Sequence, residues 1–171
     1  MTIRVKTMAD DIEKITRDAV KNGGVLAMLY FDVHAKEKEG VQALGTDFIN
    51  TIIHKPGVVF AYGEIDEPVS GGKDKNWSAS ISLKVLTRDF ATLANICMTH
   101  SPYSVEITRP DEIRLQLSEA HDLLGIMSAI TAEYKKYILT KLAKPEEISD
   151  IQETMRKRAE MGKKMLDKKD K

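Results

Sequence analysis

The chain has one cysteine, Cys97, one tryptophan, Trp77, and five prolines in 171 residues. A single cysteine cannot close an internal disulfide, which fits a reducing compartment. Lysine and arginine together number 26, as do aspartate and glutamate, so the formal charge is zero and no global attraction for polyanions is expected. Long apolar runs are also lacking. The longest, around Val25 to Phe31, falls well short of the roughly 18 to 20 residues that a membrane-spanning helix needs. Met1-Thr2-Ile3-Arg4-Val5-Lys6 leads to Asp10-Asp11 with no apolar stretch between them, so a secretory signal is not expected. These absences point to a cytoplasmic protein with no membrane partner.

What is present is alternation. Val25, Ala27, Leu29, Phe31, Val33 and Ala35 repeat at the two-residue period of a strand, and Val41, Leu44, Phe48 and Ile52 then repeat at helical spacing. After Pro56-Gly57 a strand is expected over Val58 to Asp66, then a glycine-bearing turn. Ala79, Ile81, Leu83 and Val85 next alternate with Ser78, Ser80, Ser82 and Lys84, which makes a hairpin. Phe90, Leu93, Ala94 and Cys97 form a second helical stripe, and Tyr103, Val105 and Ile107 a last strand. The order is βαββαβ, a ferredoxin-like α+β core over 24–117.

Additions surround this core. Met8, Ile12, Ile15 and Ala19 predict an N-terminal helix opened by Thr7 or Asp10 and closed by Asn22-Gly23-Gly24. Alternation of Ile113, Leu115 and Leu117 after the Pro110-Asp111 turn predicts a fifth strand hairpinned to the fourth. Ser118 is the expected cap of a long helix carrying Leu123, Met127, Ile130, Tyr134, Tyr137 and Ile138, which Pro145 ends. A second C-terminal helix follows, acidic at its start and basic at its end. The expected organisation is a single α+β domain over 1–144 and a charged helix or tail over 145–171.

With the crossover helices on one face of the sheet, the other face of the first strand holds Leu26, Met28 and Tyr30, then Asp32 and His34. Burial of three large apolar side chains is worth roughly 1.5 to 3 kcal/mol each, so this face is expected to be an interface between subunits or elements. Strand parity allows Lys84 and Glu106 to join Asp32 and His34 as a ligand-binding group, with Glu64 and Asp66 at the edge. A histidine among carboxylates can move protons near neutral pH, and a small enzyme using His34 with Asp32 is one alternative. No second histidine has ligand spacing to His34, so neither a metal nor a cofactor is expected. Gly71-Gly72-Lys73 lacks the spacing and following helix of a phosphate loop. Cys97 lies on an apolar stripe and reads as a small core residue. The excess of lysine and arginine from Arg156 to Lys171 gives the other alternative, an RNA-associated module, although interleaved aromatics are missing there.

The element order, with the Lys55-Pro56-Gly57-Val58-Val59 step from helix into edge strand, resembles the small-molecule-sensing ACT and RAM modules over about Gly24 to Ile107. The resemblance implies ligand binding between subunits whose sheets or helices meet. The segment His34 to Gly40 departs from it, since charges stand where the ACT ligand loop has glycines. The leading expectation is therefore a non-catalytic homo-oligomer that binds a small molecule or a partner through its sheet face.

Overall fold

The computed structural model describes residues 3–71 and 76–142, together with Glu153, Arg156, Lys157, Glu160 and Met161. The chain divides into two compact units, 1–127 and 128–171.

The described residues form a mixed α+β structure in the order α1 (Ile3–Lys21), β1 (Val25–Ala35), α2 (Lys38–Ile53), β2 (Val58–Ile65), β3 (Val69–Ser70), β4 (Trp77–Thr87), α3 (Phe90–His100), β5 (Ser104–Arg109) and α4 (Leu117–Leu142). The sheet has five strands and is antiparallel throughout, with β2, β4, β1 and β5 adjacent in that order and β3 paired to β4. β1 and β4, the two most regularly alternating segments of the sequence, are the central strands. Their eleven-residue ladder runs from Val25 opposite Thr87 to Ala35 opposite Trp77.

One face of this sheet is sealed. Val25, Ala27, Leu29 and Phe31 of β1 meet Ile81, Leu83 and Val85 of β4, and Ile52 of α2 with Leu93 and Ile96 of α3 close over them. Phe48 stands edge-on to Phe31 with ring centres 4.7 Å apart. Local chemistry places the covering helices. Asp89 caps α3 by accepting from the Thr92 N–H at 2.7 Å, and Ser101 ends it in the left-handed region at φ 49°. The Pro56-Gly57 step needs its glycine twice over. Gly57 sits at φ +87°, and a Cβ there would come within 2.5 Å of the Thr92 hydroxyl.

Three expectations are corrected. The N-terminal helix begins at Ile3 rather than at a Thr7 or Asp10 cap, while its end behaves as read: Gly24 N–H donates to Ala19 O at 2.8 Å and Gly23 lies at φ +93°. The fifth strand does not form over Ile113–Leu117; the sheet's fifth member is instead the two-residue β3 inside the hairpin. The reason is that Ile113, Leu115 and Leu117 do not share a face: Ile113 packs on the core, Leu115 is partly exposed and Leu117 is 75% exposed. Three alternating residues are too short a pattern to specify a strand. The long helix starts at Leu117, so Ser118 lies within its first turn, and the Glu119 carboxylate accepts from the Gln116 N–H at 2.7 Å. Most of the second C-terminal helix, and residues 72–75 with Gly72-Lys73, lie outside the described residues; Glu153, Arg156, Lys157, Glu160 and Met161 are helical.

Candidate functional site

The second face of the sheet is assembled by antiparallel register. Each residue of β1 on this face has a fixed neighbour on β4: Leu86 beside Leu26, Lys84 beside Met28, Ser82 beside Tyr30, Ser80 beside Asp32 and Ser78 beside His34. β5 adds Arg109, Glu106 and Ser104 beside Leu26, Met28 and Tyr30, and β2 adds Phe60, Tyr62 and Glu64 beyond β4. The face therefore grades from apolar at the Leu26 end, through a charged and aromatic middle, to a polar end at His34.

α1 packs on β1 and β4 at the apolar end. Thr16 is buried there, Leu26 is 5% exposed and Leu86 is fully covered. Arg109 donates to the Glu13 carboxylate of α1 at 2.7 Å, and that hydrogen bond holds the Glu13 carboxyl below its usual value. Leu26 is thus buried inside its own chain, the contact being one between elements. Met28 and Tyr30 remain partly exposed beyond the helix. Around them Tyr30 and Tyr103 approach to 6.1 Å, Phe60 and Tyr62 stack at 6.1 Å, and the Lys84 ammonium lies 5.9 Å from the Tyr62 ring centre. Tyr62 is 50% exposed and Tyr103 59%.

Asp32 and His34 open onto a cleft of about 320 Å³. Asp66, Glu67 and Val69 from the hairpin, with Ser78, Ala79 and Ser80 of β4, complete its lining. Ser80 donates to the Asp32 carboxylate at 3.1 Å, and the Asp66 N–H donates to Ser80 O at 2.9 Å, which ties the acidic hairpin to the strand. Lys84 and Glu106 do not join this group. They flank Met28, six residues along β1 from His34, or about 20 Å at the strand rise. Shared parity placed all four side chains on one face, but the ladder sets two at one end and two near the middle.

Among the described residues no hydrogen bond joins His34 to a carboxylate, and no group of histidine, cysteine, aspartate and glutamate is arranged to hold a metal ion. Exposed carboxylates and serine hydroxyls can accept from, and donate to, a polar molecule. Elsewhere, burial pushes the Cys97 thiol up, which disfavours its thiolate. His100, edge-on to Phe48 at 5.5 Å, has a buried Nε2 without a partner among the described residues, and burial holds its imidazole below the ordinary value. His54 is accounted for at the end of α2, where its Nδ1 lies 2.7 Å from Asn50 O. Trp77 carries the Lys38 ammonium 5.7 Å from its ring centre, so it links the hairpin to the start of α2.

Ser78, Ala79, Ser80, Glu67 and Val69 are the lining residues that sequence reasoning did not assign to the cleft. The serine alternation on β4 was visible, but only the register with β1 shows that two of these serines stand beside Asp32 and His34. Of the basic C-terminal stretch, Arg156 and Lys157 are described. They pair with Glu160 at 3.8 Å and Glu153 at 2.8 Å along the helix.

These features define an α+β protein with an antiparallel sheet sealed on one face and half-open on the other, and no described helix is long and apolar enough to cross a membrane. The chain belongs to the MJ0538 family, whose model matches residues 26–157. That stretch begins on β1 and takes in the whole of α4, leaving α1 outside it. No curated protein and no solved structure matches the chain.

Proposed function

We propose that the protein is a non-catalytic, oligomeric binding protein of regulatory type, built on a ferredoxin-like core, that receives a small molecule or a partner segment on its open sheet face. The observation that carries this reading is the contrast between the two faces. One is closed by α2 and α3, whereas the other leaves Met28, Tyr30, Tyr62 and Tyr103 within reach of solvent on the face that ends in the Asp32–His34 cleft. The alternation of strands and helices around a central β1 and β4 supports the same assignment, as does the resemblance to ACT and RAM modules. Because fold alone does not define function, the ligand class is argued from the lining. Carboxylates of Asp32, Asp66 and Glu67 beside Ser78 and Ser80 suit a molecule bearing an ammonium group or several hydroxyls.

A thermal-shift screen of amines, amino acids and polyols against the full chain tests this. A ligand that binds only the folded state raises the melting temperature with its concentration. The expected result is a concentration-dependent rise that Asp32→Asn reduces and that Lys21→Ala, exposed at the far end of the sheet from the cleft, preserves. Uniform absence of shifts across millimolar ligands would remove the small-molecule reading. A rise unaffected by Asp32→Asn would move the site elsewhere.

A further inference from the structure

Where α1 ends, an asparagine stands directly before a glycine. Asn50, Asn76 and Asn95 precede Thr51, Trp77 and Ile96, whose side chains screen their own backbone nitrogens, whereas Asn22 precedes Gly23, which has no side chain to do so. Asn22 and Gly23 are both exposed. Gly23 lies at φ +93°, and nothing is found within 4 Å of the place its Cβ would take. The Gly23 nitrogen is therefore open to approach from the side chain that precedes it.

Two hydrogen bonds of the last turn of α1 hold these groups apart. Asn22 Nδ2 donates to Asp18 O at 2.8 Å, and the Gly23 N–H donates to Val20 O at 3.1 Å. Both involve exposed residues at a helix end, and such an end opens locally far more readily than the domain unfolds. Each opening frees the Asn22 carboxamide to turn onto the Gly23 nitrogen.

We infer that Asn22 is a site of spontaneous modification, and that its conversion loosens α1 from the sheet. The Gly23 nitrogen attacks Asn22 Cγ and forms a C–N bond. The Cγ–Nδ2 bond breaks, and ammonia leaves with the proton that the Gly23 nitrogen gave up. Water then opens the cyclic imide at one carbonyl or the other, which leaves aspartate or isoaspartate at position 22. Nothing is oxidised or reduced, and water is the co-reactant.

Either product works against the end of α1. A carboxylate cannot donate to Asp18 O, and it puts negative charge in the last turn, four residues from the Asp18 carboxylate, where the helix dipole disfavours it. Isoaspartate also lengthens the main chain by one atom. Gly24 has no room to accommodate this, since a Cβ there would already lie 2.7 Å from Thr87 O and 2.8 Å from Ala19 O. Thr87 is itself fully buried opposite Val25. The cover that α1 gives to Leu26 and Leu86 weakens in consequence. The inference goes beyond the sheet-face reading and involves no ligand, so each can fail without the other.

The test is to incubate the full chain at physiological temperature and mildly alkaline pH and to follow its peptides by chromatography and mass spectrometry. The peptide holding position 22 should gain the mass that separates a carboxylic acid from an amide and split into two forms. Peptides holding Asn50, Asn76 and Asn95 should convert severalfold more slowly. Asn22→Gln, which would have to close a larger ring, should leave its peptide unmodified. The modified chain should melt lower than the unmodified one and exchange the amide hydrogens from Val20 to Leu26 severalfold faster, with Asn22→Asp showing a smaller change in the same direction. A native chain that stays unmodified at Asn22 while the urea-denatured chain converts would overturn the proposal. So would a modified chain whose melting and exchange match those of the unmodified one.

Discussion

The two faces of one sheet are made from the same strands, yet they obey different physics. On the side of Leu29 and Leu83, the apolar side chains of the strands cluster with others from α2 and α3, and the result is a sealed core. On the side of Tyr30 and Ser82, α1 covers the Leu26 end while the remainder keeps aromatic, charged and hydroxyl groups in reach of solvent. Adjacent residues on β1 therefore have different tasks: Leu29 holds the fold, and Tyr30 contributes to a surface. Stability is concentrated on one face, so the other is free to carry groups chosen for what they contact.

The sharpest way to break this comparison is to truncate neighbours. Leu29→Ala should cost about 3 kcal/mol in urea unfolding because it opens a cavity in a fully buried site. Tyr30→Ala, one residue along, should cost about 1 kcal/mol. Equal losses would mean that the open face is as closely packed as the other. Gly57→Ala should come next, at about 2 kcal/mol, since the new methyl group meets both a positive φ and the Thr92 side chain. Unfolding at unchanged midpoint would show that the turn can adjust at no cost.

A pH titration sharpens the contrast on the sealed side. Burial, with a smaller contribution from the charge of Lys55, keeps His100 below its ordinary value. As pH falls through the unfolded-state value of about 6.5, the unfolded chain takes up more protons than the native one, so stability declines with falling pH. Above that pH the penalty is absent. His100→Phe, placed against Phe48, should flatten the slope between pH 7 and 5, and an unchanged slope would assign the dependence to other groups. The smallest effect belongs to the α1 end of the open face. There the Arg109 hydrogen bond depresses Glu13, a contribution present above the unfolded carboxylate value and lost as pH falls through the native one. Arg109→Gln should move the Glu13 titration, followed by carboxyl carbon resonances, upward toward the ordinary range. An unmoved titration would show that the pair does not persist in solution.

Much of the fold is legible in the sequence because alternation over long segments is a strong signal. Eleven residues of β1 and of β4 left little choice of face, and the capping glycines after α1 marked its end. The segment 113–117 misled because three alternating residues fit an irregular connection equally well. The candidate site was half legible. Asp32 and His34 were found by being polar at the end of an otherwise apolar face, and Asp66 by its place in the hairpin. Lys84 and Glu106 were grouped with them because parity says which side a residue occupies but not how far along the strand its neighbour lies.

The sequence by itself determined the alternation that assigns side chains to faces and the helices between strands, since each follows from local periodicity. The tertiary structure alone decided the register that sets Ser78 and Ser80 beside His34 and Asp32, the separation of Lys84 and Glu106 from them, and the covering of Leu26 by α1. These depend on which distant segments pair and at what offset, and that choice is made by the packing of the whole core rather than by any one segment's preference.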